Sequence, residues 1–264
     1  MNNFRTYGKA PYQVAVIHGG PGAPGEMAPV ARELSSLWTV LEPLQTKTTL
    51  KEQLEELKTT LKKNAHLPIT LIGHSWGAML SYIFTAHNPS FVKKLILVGS
   101  GVFEAQYASS IIPTRLSRLS EDERARLDAL TRTLNDPTHT DKNATFAKLG
   151  ELDSKADSYD PLPHKNEVID CQYTLYESVW KEAEALRSSG ELIAIGRNIH
   201  CPVLAIHGDY DPHPAEGITA PLSKVVNDFR FILLKHCGHH PWYEKHAKEQ
   251  FYTILKQELS YLVN

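Results

Sequence analysis

Cysteine, long apolar runs and an excess of one charge are all lacking in this sequence. The 264 residues include only three cysteines, at 171, 201 and 237, an odd number whose spacings fit no metal site. We therefore expect free thiols in a reducing compartment. No apolar run approaches the roughly 20 residues that span a bilayer, and residues 1–5 lack the apolar core of a signal peptide. These absences predict a cytoplasmic protein that does not enter the membrane.

The charges almost cancel, with 28 basic against 30 acidic residues and a formal net charge of -2. A chain without a strong field has little attraction for nucleic acid or for an anionic membrane, so we expect neither as a partner. The length suits one large α/β domain, or a core that carries an insertion. The sequence leaves the oligomeric state open.

A Gly-x-Ser-x-Gly motif at residues 73–77 is the centre of the pattern. It follows the apolar run Ile69–Ile72 and precedes the helix-length apolar stretch Ala78–Phe84. A strand, this motif and a helix form the setting of a nucleophile elbow, in which a sharp turn lifts the serine above the sheet edge. The motif also occurs by chance, so an ordinary strand–loop–helix turn is the alternative.

A glycine-rich segment, His18–Gly22, ends the strand-like run Gln13–Ile17. Such a cluster forces a tight turn and leaves backbone N–H groups uncovered by side chains. Upstream of a serine elbow, we interpret it as an oxyanion loop, and a plain loop is the alternative. His18 and His74 flank these loops, and we expect them to orient backbone rather than to transfer protons.

Strand and helix patterns alternate along both ends of the chain. This alternation predicts an α/β fold, a mostly parallel sheet flanked by helices. We divide the chain into a first core segment 1–101, a helical cap insertion 102–198 and a second core segment 199–264. The predicted core elements outside the elbow are strands at Trp38–Glu42, Lys94–Gly99, Pro202–Gly208 and Phe229–Leu234, a helix that begins with a capping box at Thr49–Glu52, and a helix over Ala247–Leu262.

The cap insertion has no strand-like runs. A capping box at Ser120–Glu123 predicts a helix over Ser120–Leu134, and amphipathic spacing predicts another over Glu167–Ser188. The polar stretch Asp153–Pro163, with two prolines, predicts a loop. Pro68 is expected to close the connection that leads to the elbow strand.

A serine, an aspartate and a histidine follow successive predicted strands in the chain order of a hydrolase triad. Ser75 would be the nucleophile, His239 the general base, and Asp211 the acid that holds the imidazole in one tautomer. Asp209 and His240 are the competing candidates for acid and base. The backbone N–H groups of Gly20 and Trp76 would bind the oxyanion. Both residues are assigned this role from their positions in the glycine-rich segment and directly after Ser75.

Four motifs together resemble the α/β-hydrolase superfamily: His-Gly-Gly-Pro-Gly at 18–22, Gly-His-Ser-Trp-Gly at 73–77, Gly-Asp-Tyr-Asp at 208–211 and Gly-His-His-Pro-Trp at 238–242. The first two are similar to the prolyl iminopeptidase-like branch. Two departures from that branch are a segment at 41–46 without its usual glycine and arginine, and a histidine where glutamine usually precedes the serine. The resemblance covers the two core segments and is weak across the insertion.

The same resemblance implies a substrate site in the cap. In prolyl iminopeptidases a cap segment with two aromatic residues and a following glutamate binds the free amino end of the substrate. Tyr173, Tyr176 and Glu177 have a similar spacing, and an ordinary amphipathic helix face is the alternative interpretation.

We therefore expect a serine hydrolase that cleaves a small ester or amide through an acyl-enzyme, with no cofactor and no metal. The leading form is an aminopeptidase of the prolyl iminopeptidase type acting on a small molecule or short peptide. The alternatives are a carboxylesterase-like or thioesterase-like hydrolase of a small metabolite, and a ligand-binding member of the fold that does not hydrolyse.

Overall fold

One sheet runs through the protein, described here from a computed structural model that covers residues 3–260. Its strands are β1 (Phe4–Tyr7), β2 (Tyr12–Ile17), β3 (Val40–Pro43), β4 (Ala65–His74), β5 (Val92–Val98), β6 (Val203–Gly208) and β7 (Phe229–Leu234). Their order across the sheet is β1-β3-β2-β4-β5-β6-β7. β1 runs antiparallel to β3 and all other neighbours are parallel, which confirms the predicted mostly parallel sheet.

The register aligns the carboxyl ends of the central strands. Ile17 pairs with Gly73, His74 pairs with Val98, and Val98 pairs with Ile206. The loops that leave β2, β4, β5 and β6 therefore emerge side by side at one edge of the sheet. Ligands of open α/β sheets bind at this edge.

Helices cover both faces of the sheet, as expected for strands that are buried on both sides. The helices are α1 (Ala28–Leu34), α2 (Leu50–Asn64), α3 (Trp76–His87), α4 (Ile111–Ser117), α5 (Glu121–Asn135), α6 (Lys142–Asp157), α7 (Tyr173–Ser189), α8 (Glu191–Ala194), α9 (Glu216–Val225) and α10 (Lys248–Ser260). One core contains Leu57 of α2, Leu80 of α3 and Leu222 of α9. The other contains Val30 of α1 and Phe251 of α10.

The segment between β5 and β6 contains α4 to α8 and no strand among the described residues. Among the described residues, the one β-type pairing between this segment and the core is an isolated antiparallel bridge between Pro161 and Glu244. α5 begins with the predicted capping box, in which Ser120 accepts from the Glu123 backbone N–H and Glu123 accepts from that of Ser120. α7 packs on the core through its buried residues Leu175, Val179 and Ala183.

Two local predictions are wrong, and one helix was not predicted. Asp153–Asp157 is the last part of α6 rather than a loop, and Asp141 caps that helix by accepting from the Ala144 N–H. α7 begins at Tyr173, so Glu167–Gln172 precedes it. The sequence pattern did not predict α6, because small and charged residues alternate along it without a clear apolar stripe.

The ends of other elements also differ from the prediction. Pro68 lies inside β4, near a register shift at Ile69 where ladder bonding is interrupted. β1 was not predicted, since four residues at a sheet edge carry little pattern. Leu262, the predicted end of the last helix, lies outside the described residues. Across residues 3–260, none of the helices combines the length and the apolar character needed to cross a membrane.

Candidate active site

Ser75 occupies a sharp turn between the last residue of β4 and the first residue of α3. Its backbone angles are φ 52° and ψ −116°, a region that side-chain-bearing residues rarely adopt. Its N–H donates to the Val98 carbonyl at 3.0 Å. A Cβ on Gly73 would lie 2.2 Å from the Gly77 carbonyl oxygen, and a Cβ on Gly77 would lie 2.2 Å from that of Ile17. Only glycine fits on either side of this serine.

Asp211 follows β6 and its side chain is fully buried. Its Oδ2 accepts from His239 Nδ1 at 2.7 Å. Burial alone would raise the pKa of Asp211, but its electrostatic interactions and hydrogen bonds with His239, His207 and His213 outweigh burial and hold that pKa well below its usual range. Asp211 is therefore a carboxylate at neutral pH.

Asp209, the competing acid, has different surroundings. It is exposed at the end of β6, where it accepts from the Cys237 N–H at 3.3 Å and lies 3.6 Å from Lys235 Nζ. Its contacts tie the loop after β7 to the end of β6. Within residues 3–260, Asp209 has no hydrogen bond to a histidine.

His239 is 5% exposed and is held from three sides. Its Nδ1–H donates to Asp211, its backbone N–H donates to the Asp157 carbonyl at 2.9 Å, and its carbonyl accepts from His74 Nε2 at 3.0 Å. Because Nδ1 carries the hydrogen, Nε2 of the neutral ring has a free lone pair, as a general base requires. Within residues 3–260 the Ser75 hydroxyl has no hydrogen bond to this ring; such contacts often tighten only when substrate binds.

The glycine-rich segment lies against the elbow. A Cβ on Gly19 would be 3.1 Å from Ser75 Cβ, and Gly20 has a φ of 106° that favours glycine. Trp76 is the first residue of α3, where backbone N–H groups have no acceptor within the helix. The glycine-rich segment and the start of α3, which carry the predicted N–H donors of Gly20 and Trp76, therefore both adjoin Ser75.

A family model described as the alpha/beta hydrolase fold matches residues 42–246. The chain belongs to the α/β-hydrolase fold family. The match spans most of the chain, from β3 to the residues before α10, and confirms the superfamily that the four motifs predicted. A comparison with curated protein sequences found no match.

Solved structures agree with this fold at low sequence identity. VinJ is 18% identical with a TM-score of 0.69, over 98% of this chain and 95% of that one. Proline iminopeptidase of Mycobacterium smegmatis is 20% identical with a TM-score of 0.64, over 97% and 93%. MenH from S. aureus is 17% identical with a TM-score of 0.60, over the full length of both. The iminopeptidase-like branch is thus one of several similar groups of α/β-hydrolases.

The insertion of this α/β-hydrolase reaches the site through its helix α6. Asp157, which accepts from His239 N–H through its carbonyl, also binds Arg115 through both carboxylate oxygens at 2.8 and 2.6 Å. Asp153, one turn earlier, lies 3.6 Å from Arg115. Burial raises the pKa of Asp153, and Arg115 and His239 act against that rise. Asp153 therefore lies within electrostatic range of both Arg115 and His239.

The three residues Tyr173, Tyr176 and Glu177 that the sequence singled out lie in the first turns of α7. Tyr173 is buried and its hydroxyl donates to Glu177 at 3.2 Å. Tyr176 packs on Phe146, with ring centroids 4.5 Å apart, and stacks on Trp180. Glu177 is exposed. The aromatic residues form a small cluster between α6 and α7.

Sequence reasoning did not identify two groups that lie beside Ser75, Asp211 and His239. His213 donates from its ring and its backbone to Asp211, at 2.7 and 2.9 Å, and its place two residues after the acid was the available signal. Glu26 accepts from Gly19 N–H and from the rings of His74 and His240, and no local pattern marked it. The predicted backbone-orienting role of His18 fits its contacts, since it accepts from the Gln45 N–H at 3.0 Å.

Two trios in the described residues bring possible metal-ligand atoms within 4.8 Å of one another: Glu26, His74 and His240, and Asp211, His213 and His239. In both trios the imidazole nitrogens point at carboxylate oxygens at hydrogen-bond distance. Protons between nitrogen and oxygen explain this closeness, so we assign no metal ligands here.

Proposed function

We propose that this protein is a serine hydrolase that cleaves a small ester or amide through an acyl-enzyme. The observation that carries the proposal is the 2.7 Å hydrogen bond from His239 to Asp211, next to a serine held at φ 52° between β4 and α3. An imidazole held in one tautomer beside a strained, partly exposed serine is the arrangement that nucleophilic catalysis needs.

The proposed reaction begins when His239 Nε2 takes the Ser75 proton as the hydroxyl oxygen attacks the substrate carbonyl. The N–H groups of Gly20 and Trp76 stabilise the oxyanion of the tetrahedral intermediate, and each such donor is worth about 3 kcal/mol. His239 then donates its proton to the leaving alcohol or amine. Water repeats the sequence on the acyl-enzyme and restores the Ser75 hydroxyl. Asp211 stabilises the imidazolium throughout.

The helical insertion 102–198 is proposed to act as a cap over the nucleophile. It leaves the sheet after β5, at the edge where Ser75 lies, and returns to the sheet at the opposite edge, where β6 begins. Two backbone hydrogen bonds join it to the glycine-rich segment: Ile169 N–H to the Pro24 carbonyl and Gln172 N–H to the Gly22 carbonyl. Helices in this place would exclude water and select the substrate.

The leading substrate class is a small peptide or amide with a free amino end. A buried ammonium group needs a carboxylate partner, and the cap offers two. Glu177 is the carboxylate that the resemblance suggests, but an exposed group is screened by water and gains little from an ion pair. Asp153 is the stronger candidate because it is shielded beside Arg115 and near His239.

A fluorophosphonate probe tests the serine mechanism. The Ser75 oxygen should displace fluoride from phosphorus and label the wild-type protein. Ser75→Ala should abolish labelling, and an equal replacement at exposed Ser36→Ala should leave it unchanged. Labelling that persists in Ser75→Ala would reject the proposal.

A matched pair of substrates tests the substrate class. An aminoacyl naphthylamide with a free amino end and its amino-blocked analogue differ only in the charge. If the proposal is right, Asp153→Asn lowers kcat/KM for the free amine roughly 10-fold or more, the scale of a charge-assisted hydrogen bond, and affects the blocked analogue much less. Glu177→Gln is the parallel test of the second carboxylate. Equal effects on both substrates would favour the esterase alternative.

A further inference from the structure

Glu26 connects three loops of the site through one carboxylate. Its Oε2 accepts from the Gly19 N–H at 2.8 Å and from His74 Nδ1 at 2.9 Å, and its Oε1 accepts from His240 Nε2 at 3.0 Å. These donors belong to the glycine-rich segment, the elbow and the loop after β7. Burial alone would raise the pKa of Glu26, but His74 and His240 outweigh it and hold that pKa well below its usual range. Glu26 is therefore an anion.

His74 has an oxygen acceptor at each end of its ring. Nδ1 faces the Glu26 carboxylate at 2.9 Å, and Nε2 faces the His239 carbonyl at 3.0 Å. An ionised carboxylate and a backbone carbonyl can only accept hydrogen bonds, so each nitrogen must carry a hydrogen. A ring with two N–H groups is an imidazolium cation. His74 is completely buried, and a buried cation needs the charged partner that Glu26 supplies.

We propose that Glu26 and His74 form a buried carboxylate–imidazolium pair that positions the catalytic histidine and the oxyanion loop around the nucleophile. The His74 cation holds the carbonyl of His239. The Glu26 anion holds the backbone N–H of Gly19, the residue next to Gly20. Both are positioning residues, since neither is placed to touch the reacting atoms. The kinetic part of the inference depends on the proposed hydrolase function, and the charge state of His74 does not.

The surroundings of His74 are consistent with a single stabilised charge. The titratable groups facing it are Glu26, His18, His239 and His240. Burial lowers the pKa of His18, and the charge of His74 acts in the same direction. Trp242 packs its ring edge-on to His74, with centroids 4.7 Å apart. The carboxylate of Glu26 is the only anion among these neighbours within the described residues.

Nitrogen-15 NMR of the histidine side chains tests the charge state directly. At pH 8 an ordinary histidine is neutral, so a doubly protonated ring should stand out among the 13 histidines. We expect one such signal in Ser75→Ala, an otherwise intact protein that cannot turn over. The signal should vanish in His74→Gln. A neutral signal for His74 at pH 8 would overturn the proposal, whatever the protein hydrolyses.

The kinetic test uses Glu26→Gln, which keeps the side-chain size and removes the anion. We expect kcat to fall roughly 10- to 100-fold at pH 8 with KM nearly unchanged, because small misplacements of catalytic groups cost this much. The doubly protonated nitrogen signal of His74 should also be lost in Glu26→Gln at pH 8, because the buried cation no longer has its charged partner. A slow Glu26→Gln enzyme that keeps this signal would indicate a merely structural role and overturn the proposal.

Matched controls separate the possible failures. Glu33→Gln, on the exposed side of α1, makes the same chemical change away from the site and should leave the kinetics unchanged. If Glu26→Gln does not fold, the nitrogen spectrum of Ser75→Ala decides the question alone. A metal analysis provides a further test. If the purified protein contains stoichiometric zinc and His240→Ala does not, the pair is overturned, because a metal would then take the place of the proton at His74 Nδ1. Failure of probe labelling at Ser75 rejects the hydrolase and leaves the spectrum interpretable.

Discussion

The rings of His213 and His239 lie 4.9 Å apart and nearly parallel, and each donates to a different oxygen of Asp211. The Asp211 carboxylate is thus shared between His239, the proposed base, and a second histidine. His207 adds to this arrangement by donating from Nε2 to the His213 carbonyl at 2.8 Å. The orientation of Asp211 therefore depends on a residue that has no place in the proton transfers.

Removal of the His213 side chain should slow the reaction without abolishing it. His213→Ala leaves the His213 backbone N–H on Asp211 but removes the ring donor, so we expect kcat to fall roughly 10-fold, the equivalent of about 1.4 kcal/mol. KM should change little. Steady-state kinetics of this variant and of the exposed control His200→Ala would measure the effect. A His213→Ala enzyme as active as the control would show that the ring does not help to hold Asp211.

The two aspartates after β6 should respond very differently to the same change. Asp211→Asn removes the acceptor that fixes the His239 tautomer, so turnover should drop by about 10⁴ in a folded protein. Asp209→Asn weakens only the contacts to Cys237 and Lys235 and should act on stability. Turnover and thermal unfolding, measured together on both variants, distinguish the cases. A larger loss of turnover in stably folded Asp209→Asn would identify Asp209 as the acid.

The backbone strain at Ser75 predicts a stability difference between two inactive variants. Its conformation costs about 1–3 kcal/mol for a residue with a Cβ, whereas glycine adds only about 0.4–1 kcal/mol of unfolded-chain entropy. Ser75→Gly should therefore have a free energy of unfolding about 1 kcal/mol higher than Ser75→Ala. Urea unfolding of the two variants measures this. An equal or lower value for Ser75→Gly would mean that the turn is not strained.

Glu42 predicts a pH dependence of stability far from the catalytic groups. It is fully buried beside Tyr7, and burial raises its pKa from 4.5 to about 6. Between these values the unfolded chain loses the Glu42 proton while the folded chain keeps it, so the free energy of unfolding falls as pH rises. The contribution is about 2 kcal/mol, at about 1.36 kcal/mol per pKa unit, and is complete above about pH 6.

Glu42→Gln should remove this contribution. The difference in unfolding free energy between wild type and Glu42→Gln should decrease by about 2 kcal/mol from pH 4.5 to above pH 6 and then stay level. Denaturant titrations across this range, with Glu33→Gln as an exposed control, provide the measurement. A difference that is constant with pH would show that Glu42 ionises normally in the folded protein.

The parts of the site that follow strand ends could be predicted from the sequence. Ser75, Asp211 and His239 each come after an apolar run that forms a strand, and parallel strands bring such positions to one edge. The fold class followed from the same alternation of strands and helices. Family membership then agreed with the four motifs. The role of each triad residue stays a prediction until the variants above are made.

The supporting contacts could not be predicted because they join distant loops. Glu26 reaches His240 across 214 positions, and the Arg115–Asp157 pair depends on how α4 packs on α6. No periodicity encodes such encounters, which follow from tertiary packing alone. The same limit hid α6, whose last residue supplies the carbonyl that holds His239. Local patterns therefore pointed to Ser75, Asp211 and His239 but not to the residues that hold them in place.

The close contact of Gly73, Gly77 and Ile17 has a consequence for how this protein can change over generations. A methyl group at either glycine would collide with backbone, which cannot swing aside as a side chain can. A saturation scan should therefore find almost no accepted substitution at these two positions, whatever substrate is used for selection. At Ser75 itself, by contrast, selection for folding alone would tolerate change. New specificities in this chain would have to arise from the helices above the serine, with the turn beneath them left untouched.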